Sequence, residues 1–242
     1  MRLTILETGF VPEAIRSSFD DYPTMFEQLM SPLDRLMQFE AISVIGGAVL
    51  PEPESLQAVL ITGSPASVYD ADPWISELRA YIQALARTKV PMIGICYGHQ
   101  AIADALGASV GKSEKGWGIG RHVYSVQALT DTWMRDDWTP EIATYVSHQD
   151  QVLTVPKGAE ILAGSDFTPN AALVYRDIPA LSFQCHPEFS ADYAQALYEA
   201  RKGRPLTPDA VVDANESLSA GNNHALIANW MVRFLQTHAV NL

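Results

Sequence analysis

The residues best placed to do chemistry lie in the segment Gly94-Ile95-Cys96-Tyr97-Gly98. An apolar run leads straight into Cys96 and a helical pattern follows Gly98, which predicts a sharp strand-to-helix turn at the cysteine. Small neighbours leave room for the strained backbone that such a turn needs. The positive end of the following helix favours a thiolate over a thiol, so Cys96 is the candidate nucleophile.

Two of the six histidines, His148 and His186, lie where a base for this cysteine is expected. Each follows a predicted strand, and ligand chemistry in an open α/β sheet gathers at the carboxyl ends of the strands. Glu188 lies two residues beyond His186 on a stretch that Pro187 constrains, a spacing at which two side chains can point the same way. A carboxylate so placed can orient an imidazole, which favours His186 as the base and Glu188 as its partner.

Thiol-based acyl chemistry also needs donors that stabilise an oxyanion. Two backbone N–H groups are candidates. One belongs to Tyr97, directly after the nucleophile, and the other to Gly63 in the turn Gly63-Ser64-Pro65, which ends a neighbouring predicted strand. Glycine at this point lets the backbone approach a substrate closely.

The elements that must position these residues alternate between strand and helix over the first 110 residues. Apolar runs predict strands at 3–6, 39–45, 58–61 and 91–95. Helical spacing and stop signals predict helices at 22–30, 73–87 and 100–106. This alternation predicts a mostly parallel sheet with helices on both faces. We expect Cys96, the Gly63 turn and His186 at one edge of that sheet.

The second half of the chain has a different pattern, with short strands and few helices between them. Strands are predicted at 110–128, 143–147, 160–163, 171–175 and 180–185. This part of the sheet is therefore expected to be mixed or antiparallel. Helices are predicted again at 191–201 and at the C-terminus, and residues 201–208 read as a surface loop.

Composition limits the class of protein. The chain has 242 residues, 48% of them hydrophobic, which suits one α/β domain with a large core. A net charge of −12 argues against a nucleic-acid-binding surface and against a patch for anionic membranes. Only two cysteines occur, Cys96 and Cys185, so we expect a reducing, cytoplasmic setting. No apolar run reaches the roughly 18 residues of a membrane span, and no signal peptide is expected.

Taken together, the motifs resemble those of the class I glutamine amidotransferases of the triad type. The segment 94–100 resembles the family's nucleophile motif, His186-Pro187-Glu188 its H-P-E motif, and Thr62-Gly63-Ser64-Pro65 its oxyanion turn. They occur in the family's order and spacing. The resemblance covers residues 3 to about 190 and implies the family's flavodoxin-like fold. We expect one domain over residues 1–242, with a helical C-terminal part over 191–242.

The resemblance also implies a reaction. Cys96 would attack the side-chain amide of glutamine, forming a γ-glutamyl thioester and releasing ammonia, and hydrolysis of the thioester would give glutamate. His186 would be the base and Glu188 its orienting partner. No metal or cofactor is expected.

The same resemblance assigns the residues that bind glutamine. Gln100 matches the position whose side chain holds the substrate. Ser147, Gln149 and Asp150 match the stretch whose backbone binds its α-amino and α-carboxyl groups. His148 lies within that stretch and would be a neighbour of the substrate rather than the base.

Within this family the glutaminase domain resembles that of GMP synthase, and most closely the stand-alone GMP-synthase-like proteins. The residues after Glu188 are too few for an ATP-binding synthetase segment, and a Ser-Gly-Gly-x-Asp-Ser pyrophosphatase loop does not occur in the sequence. A separate synthetase or acceptor subunit is therefore a possible partner. The first alternative is a free-standing γ-glutamyl peptidase that uses the same three residues.

Two further alternatives come from other functional classes. One is a catalytically silent regulatory subunit, although such proteins should lose the nucleophile or the base, and both residues occur here. The other is a cysteine peptidase or chaperone of the related elbow-cysteine superfamily, which would need a different motif around the cysteine. The presence of His186-Pro187-Glu188 argues against this last alternative.

The sequence predicts how the two halves of a substrate are recognised. Gln100 and residues 147–150 offer fixed polar groups to the glutamyl half, and no comparable polar cluster is evident for the leaving half. Trp117, in a glycine-rich segment, is expected either near the site or in simple packing. Cys185 follows a buried strand pattern and is expected to be inert.

Overall fold

The computed structural model describes residues 1–128 and 131–239. The described residues contain eleven strands. In chain order these are β1 Arg2–Glu7, β2 Gln38–Ser43, β3 Ala58–Ile61, β4 Met92–Ile95, β5 Val110–Lys112, β6 Gly118–Val126, β7 Glu141–His148, β8 Asp150–Val152, β9 Ala159–Gly164, β10 Ala172–Tyr175 and β11 Ala180–Phe183.

The same residues contain seven α-helices. These are α1 Tyr22–Met30, α2 Pro73–Thr88, α3 Tyr97–Ala105, α4 Thr132–Arg135, α5 Ala191–Ala200, α6 Pro208–Ser217 and α7 His224–His238. No helix within 1–128 and 131–239 combines the length and the apolar character that a membrane crossing needs.

One half of the main sheet is parallel. Its strands lie in the order β2-β1-β3-β4-β11, and all four neighbouring pairs run in the same direction. Strands β3, β4 and β11 are buried along their whole length, because helices cover both of their faces. Helices α1 and α7 pack on one face, and α2 and α3 pack on the other. The predicted mostly parallel sheet with helices on both faces is confirmed.

The other half of the sheet is antiparallel. It continues from β11 in the order β10-β9-β6-β7, and each of these pairs runs in opposite directions. Strands β5 and β8 form a separate two-stranded antiparallel ribbon. Helices α5 and α6 pack beside β7 in a cluster rich in tyrosine. The predicted mixed character of the second half therefore occurs as one antiparallel extension and one ribbon.

Some boundaries differ from the prediction. The single strand predicted at 110–128 is two strands, β5 and β6, separated by a turn around Gly116. Helix α3 begins at Tyr97 rather than at residue 100, because the backbone turns at Cys96. Helix α6 was not predicted, although Thr207 accepts a hydrogen bond from the Ala210 N–H and Pro208 follows it, a sequence typical of a helix start.

Candidate functional site

Three neighbouring parallel strands end in the residues that the sequence singles out. Gly63 follows β3, Cys96 follows β4, and His186 lies three residues after β11. The strand order β3-β4-β11 places their carboxyl ends side by side at one edge of the sheet. A methyl group built on Gly63 would lie 3.0 Å from Cε1 of His186 and 3.7 Å from Cβ of Cys96. The three residues therefore meet at one point.

Cys96 occupies a strained elbow. Its backbone angles are φ 52° and ψ −100°, a region that non-glycine residues rarely adopt. The Cys96 N–H still donates to the Phe183 carbonyl at 2.8 Å, so the strain begins after the last sheet hydrogen bond. A Cβ on Gly98 would collide with the Ile61 carbonyl, and one on Gly94 would lie 2.5 Å from the Gly98 carbonyl. Gly98 is therefore required by the close packing of the elbow against β3, and Gly94 by its packing against the start of α3.

His186 is held from three sides. Its Nδ1 lies 2.7 Å from Oε1 of Glu188, and both side chains are buried. The Phe189 ring stacks on the imidazole with 3.9 Å between centroids and 7° between planes. Gly63 closes the remaining side, and the His186 N–H donates to the Tyr145 carbonyl at 2.9 Å. These contacts fix the direction in which Nε2 points.

The charge state of His186 follows from its neighbours. Burial by itself lowers the pKa of this imidazole, but the negative charges of Glu188 and Cys96, with hydrogen bonds to both, raise it to about 10. At neutral pH the ring therefore carries a proton beside the sulfur of Cys96. A cation next to a cysteine sulfur favours its nucleophilic form.

Gln184 is a neighbour of the thiol that the sequence analysis missed. Its Nε2 donates to Sγ of Cys96 at 3.6 Å, and its Oε1 accepts from Nε2 of Gln100 at 3.1 Å. Gln184 is fully buried, so both contacts are shielded from water. Its position in the sequence, two residues before His186 and at the end of β11, could have identified it as a site residue.

A cavity of about 320 Å³ opens over Cys96 and contains the predicted glutamine-binding residues. Gln100 lines it and donates to the Asp150 carbonyl at 2.8 Å. The carboxylate of Asp150 accepts from the Tyr69 hydroxyl at 3.0 Å. Ser147 and Gln149 complete this wall, so the structure brings together the four residues that the resemblance assigned to substrate binding.

The two residues predicted to supply oxyanion donors both adjoin Cys96, Gly63 in space and Tyr97 in sequence. Tyr97 is the first residue of α3, where a backbone N–H has no acceptor within its own helix. Its side chain turns away and packs on Trp74, with 5.5 Å between ring centroids. A small cavity of about 20 Å³, lined in part by Gly63, Cys96 and His186, has room for a single water-sized group.

Arg201 and Trp117 complete the cavity from the antiparallel half of the molecule. Nη1 of Arg201 donates to Oγ of Ser147 at 2.8 Å, and its guanidinium lies 5.8 Å from the centroid of the Trp117 ring. Arg201 was not among the predicted site residues, since the sequence placed it between a helix and a surface loop. Trp117 lies at the site, which was one of its two expected locations.

The other histidines near the cavity are neutral. Burial, with smaller contributions from the charges of the nearby His122 and His186, lowers the pKa of His148 to about 3. Burial also lowers the pKa of His99 to about 3, although that ring has two partners, the Ser182 hydroxyl at 2.7 Å and the Asn170 carbonyl at 3.0 Å. Among residues 1–128 and 131–239, no group of three or more His, Cys, Asp or Glu side chains could hold a metal ion.

The second cysteine differs from the first. Cys185 is fully buried, and burial raises the pKa of its thiol to about 12. Cys96 instead lines the cavity, where a substrate can reach it. Only Cys96 combines access with an imidazolium neighbour.

Sequence comparisons give this arrangement a family context. The sequence model described as glutamine amidotransferase class-I matches residues 37–202. A glutamine amidotransferase-like protein of Schizosaccharomyces pombe is 30% identical over 75% of this chain and 73% of its own length. The glutamine-hydrolyzing GMP synthase of Pyrobaculum aerophilum is 39% identical over 63% of this chain, which spans only 26% of that larger protein.

The fold has a counterpart among solved structures. The crystal structure of a glutamine amido transferase from Methylobacillus flagellatus superposes with a TM-score of 0.76 over 99% of this chain and 96% of the other. Sequence identity between the two is 22%, so this likeness concerns the fold alone.

Proposed function

The chain belongs to the class I glutamine amidotransferases, and from that premise we propose that it hydrolyses the side-chain amide of glutamine through a thioester on Cys96. One observation carries the proposal. Cys96 lies on the elbow between β4 and α3, beside an imidazole that the buried Glu188 carboxylate orients. A thiolate in this setting has a nucleophile's reactivity and a proton donor within reach.

In the first step the Cys96 thiolate attacks the amide carbon, and the carbonyl oxygen takes up negative charge. The N–H groups of Gly63 and Tyr97 are the proposed donors to this oxyanion. His186 gives its proton to the departing nitrogen, which is possible because its raised pKa keeps it protonated at the outset. The C–N bond then breaks, ammonia leaves, and the γ-glutamyl group remains on the sulfur.

In the second step water cleaves the thioester. His186 is now neutral and accepts a proton from the water, whose oxygen adds to the thioester carbon. The small cavity of about 20 Å³ beside Cys96 and His186 is the proposed position of this water. The C–S bond breaks, glutamate is released, and the thiolate and imidazolium are restored.

Gln184 is proposed to position the thiolate. Its N–H group donates to the sulfur, and its carbonyl oxygen is fixed by Gln100, which itself lines the substrate cavity. A hydrogen bond to a buried anion is stronger than one between neutral groups. We therefore assign to Gln184 both stabilisation of the thiolate and a mechanical link between substrate binding and the nucleophile.

The glutamine head group is proposed to bind along Gln100, Ser147, Gln149 and Asp150. Asp150 places a carboxylate in the cavity, which suits the α-ammonium group of an amino acid. The Asp150 carbonyl already accepts from Gln100, so the shape of this wall is fixed before substrate enters. Preorganisation of this kind lowers the entropic cost of binding.

The ammonia is proposed to serve a synthetase that lies outside this chain. The GMP synthases that match the chain do so over part of their own length, 26% in one case and 38% in another. Their remaining length offers room for the amination chemistry that uses ammonia. With a synthetase as a separate partner, the present chain would supply ammonia in the way proposed for the matching part of those larger proteins.

A glutaminase assay tests the proposal. The full chain should form glutamate and ammonia from glutamine, and Cys96→Ala should lose this activity, whereas Cys185→Ala, a change at the inert cysteine, should keep it within a fewfold. A chain that releases no ammonia alone should do so when candidate synthetases are added. Failure with every partner would favour the silent regulatory subunit, and full activity of Cys96→Ala would refute the mechanism.

A further inference from the structure

Arg201 is held in place before any ligand arrives. It caps the C-terminal end of α5, where a positive charge interacts favourably with the helix dipole. Its side chain is fixed by Ser147 on one side and by the face of Trp117 on the other. An arginine restrained in this way loses little rotational freedom when it binds an anion.

This arginine carries an uncompensated charge. Arg2, Arg79, Arg176 and Arg233 form ion pairs with carboxylates. Within 1–128 and 131–239, no carboxylate lies within ion-pair distance of Arg201. Lys112 lines the larger cavity as well, but Arg201 is the one of these two cations that also lines the small cavity beside His186. Such a group is a binding site for a planar anion, above all a carboxylate.

The position of Arg201 indicates which half of a substrate it meets. Gln100, Gln149 and Asp150 line only the larger cavity. Arg201 lines that cavity and also the small cavity that reaches His186. The departing amine must lie on the His186 side, because His186 is its proton donor. Arg201 therefore borders the space on the leaving side of the bond that breaks, in addition to the larger cavity.

We propose that Arg201, braced by Ser147 and Trp117, binds a carboxylate on the leaving half of the substrate, so that this site takes γ-glutamyl amides of amino acids or short peptides as well as glutamine. This inference rests on the proposed thioester chemistry at Cys96. A cavity of about 320 Å³ lies in the range of small-molecule sites and leaves room for a leaving half larger than ammonia. The sequence offered no polar cluster for the leaving half, and Arg201 with Ser147 is the polar group that the proposal assigns to it.

Binding to the Cys96→Ala chain tests the subsite without turnover. We compare γ-glutamylglycine with γ-glutamylglycinamide by calorimetry, two ligands that differ only in the charge of the leaving half. The carboxylate ligand should bind about tenfold more tightly, the usual worth of a hydrogen bond to a charged group. In the Cys96→Ala, Arg201→Met double variant the ratio should fall to about one.

Two controls make the result specific. Arg201→Lys keeps the charge without the planar fork and should retain part of the preference. Arg16→Met removes the other arginine that lies over an aromatic ring, Phe10, and should leave the ratio unchanged. A ratio of one in Cys96→Ala itself, or a tenfold ratio that survives Arg201→Met, overturns the proposal. A ratio of one in the Cys96→Ala chain would overturn the proposal even if the Arg201 variants failed to fold.

Turnover by the intact chain separates this inference from the proposed function. A tenfold binding preference without any hydrolysis of glutamine or γ-glutamyl amides would refute the proposed chemistry and support the carboxylate subsite. Hydrolysis through Cys96 with no preference for the carboxylate would support the chemistry and refute the subsite.

Discussion

The parallel and antiparallel halves of the sheet supply different parts of the site. In the parallel half, strands β3, β4 and β11 each carry one predicted reacting group at their carboxyl ends, and the backbone alone brings Gly63, Cys96 and His186 together. The antiparallel half, with α5, supplies the cavity wall that contains Ser147, Trp117 and Arg201. In the proposed account, reactivity belongs to the first half and recognition of the leaving half belongs to the second.

The difference has a physical origin. Parallel strands in register place residues at their ends within a few ångströms, so short local motifs are enough to assemble a reacting group. The wall depends on single side-chain contacts that no short motif marks, as between Arg201 and Ser147. Changes in the parallel half should therefore reduce the rate, whereas changes in the wall should alter binding.

The largest effect is expected at His186. His186→Ala removes the proton donor and should lower kcat at least about 10⁴-fold with little change in KM. Glu188→Gln keeps the hydrogen-bond acceptor but removes its charge. The fall in kcat of this variant should therefore be about tenfold to a hundredfold smaller than that of His186→Ala. Glu199→Gln, an exposed carboxylate paired with Lys202, is the matched control. Equal losses for His186→Ala and Glu188→Gln would contradict the assigned roles.

The next effect concerns the donor to the thiolate. Gln184→Met removes the N–H group that faces Cys96. We expect the pH midpoint for alkylation of Cys96 to rise by about one unit and kcat to fall about tenfold. Gln151→Met replaces another buried glutamine, one that donates to the Phe167 carbonyl, and should leave the midpoint unchanged. A purely structural role for Gln184 would lower stability without moving that midpoint.

One buried histidine in each half should make stability depend on pH in the same way. His99 packs against the parallel half and His148 belongs to β7, and burial lowers the pKa of each to about 3, below the value near 6.5 of an unfolded chain. Both groups are neutral when folded, so stability is complete above about pH 6.5 and is lost as the pH falls towards 3. Replacing either by leucine should flatten this dependence by about 1.4 kcal/mol per pH unit.

The free energy of unfolding at pH 7 separates the same two histidines. His99→Leu orphans the Ser182 hydroxyl and the Asn170 carbonyl and should cost about 2 kcal/mol. His148→Leu replaces a ring whose nitrogens have no partner among the described residues and should cost less. Denaturant titrations at several pH values measure both quantities. An unchanged slope in both variants would contradict the assigned charge states.

The smallest effect is expected in the wall. Ser147→Ala frees the Arg201 side chain and should raise KM for γ-glutamylglycine about threefold, the worth of one ordinary hydrogen bond, with kcat nearly unchanged. Ser125→Ala, on the exposed side of β6, should change neither constant. A loss confined to kcat would place Ser147 with the reacting groups and would remove the distinction between the two halves.

The parallel half was largely predictable from the sequence. Helix α1 and strand β3 have the predicted bounds, because apolar spacing and turn residues mark them locally. Helix α3 begins earlier than predicted, since the positive φ of Cys96 lets the helix start at Tyr97 without a usual capping residue. Arg201 and Gln184 were missed for another reason. Neither residue belongs to a motif that the sequence analysis used, and their contacts with Cys96 and Ser147 appear only in the assembled structure.

Trapping the intermediate tests the central claim most directly. The full chain is mixed with glutamine, quenched in acid and digested, and the peptides are weighed by mass spectrometry. We predict one γ-glutamyl group on the peptide that contains Cys96 and none on the peptide that contains Cys185. Glutamate that accumulates without an adduct on Cys96, or an adduct on Cys185, would contradict the account.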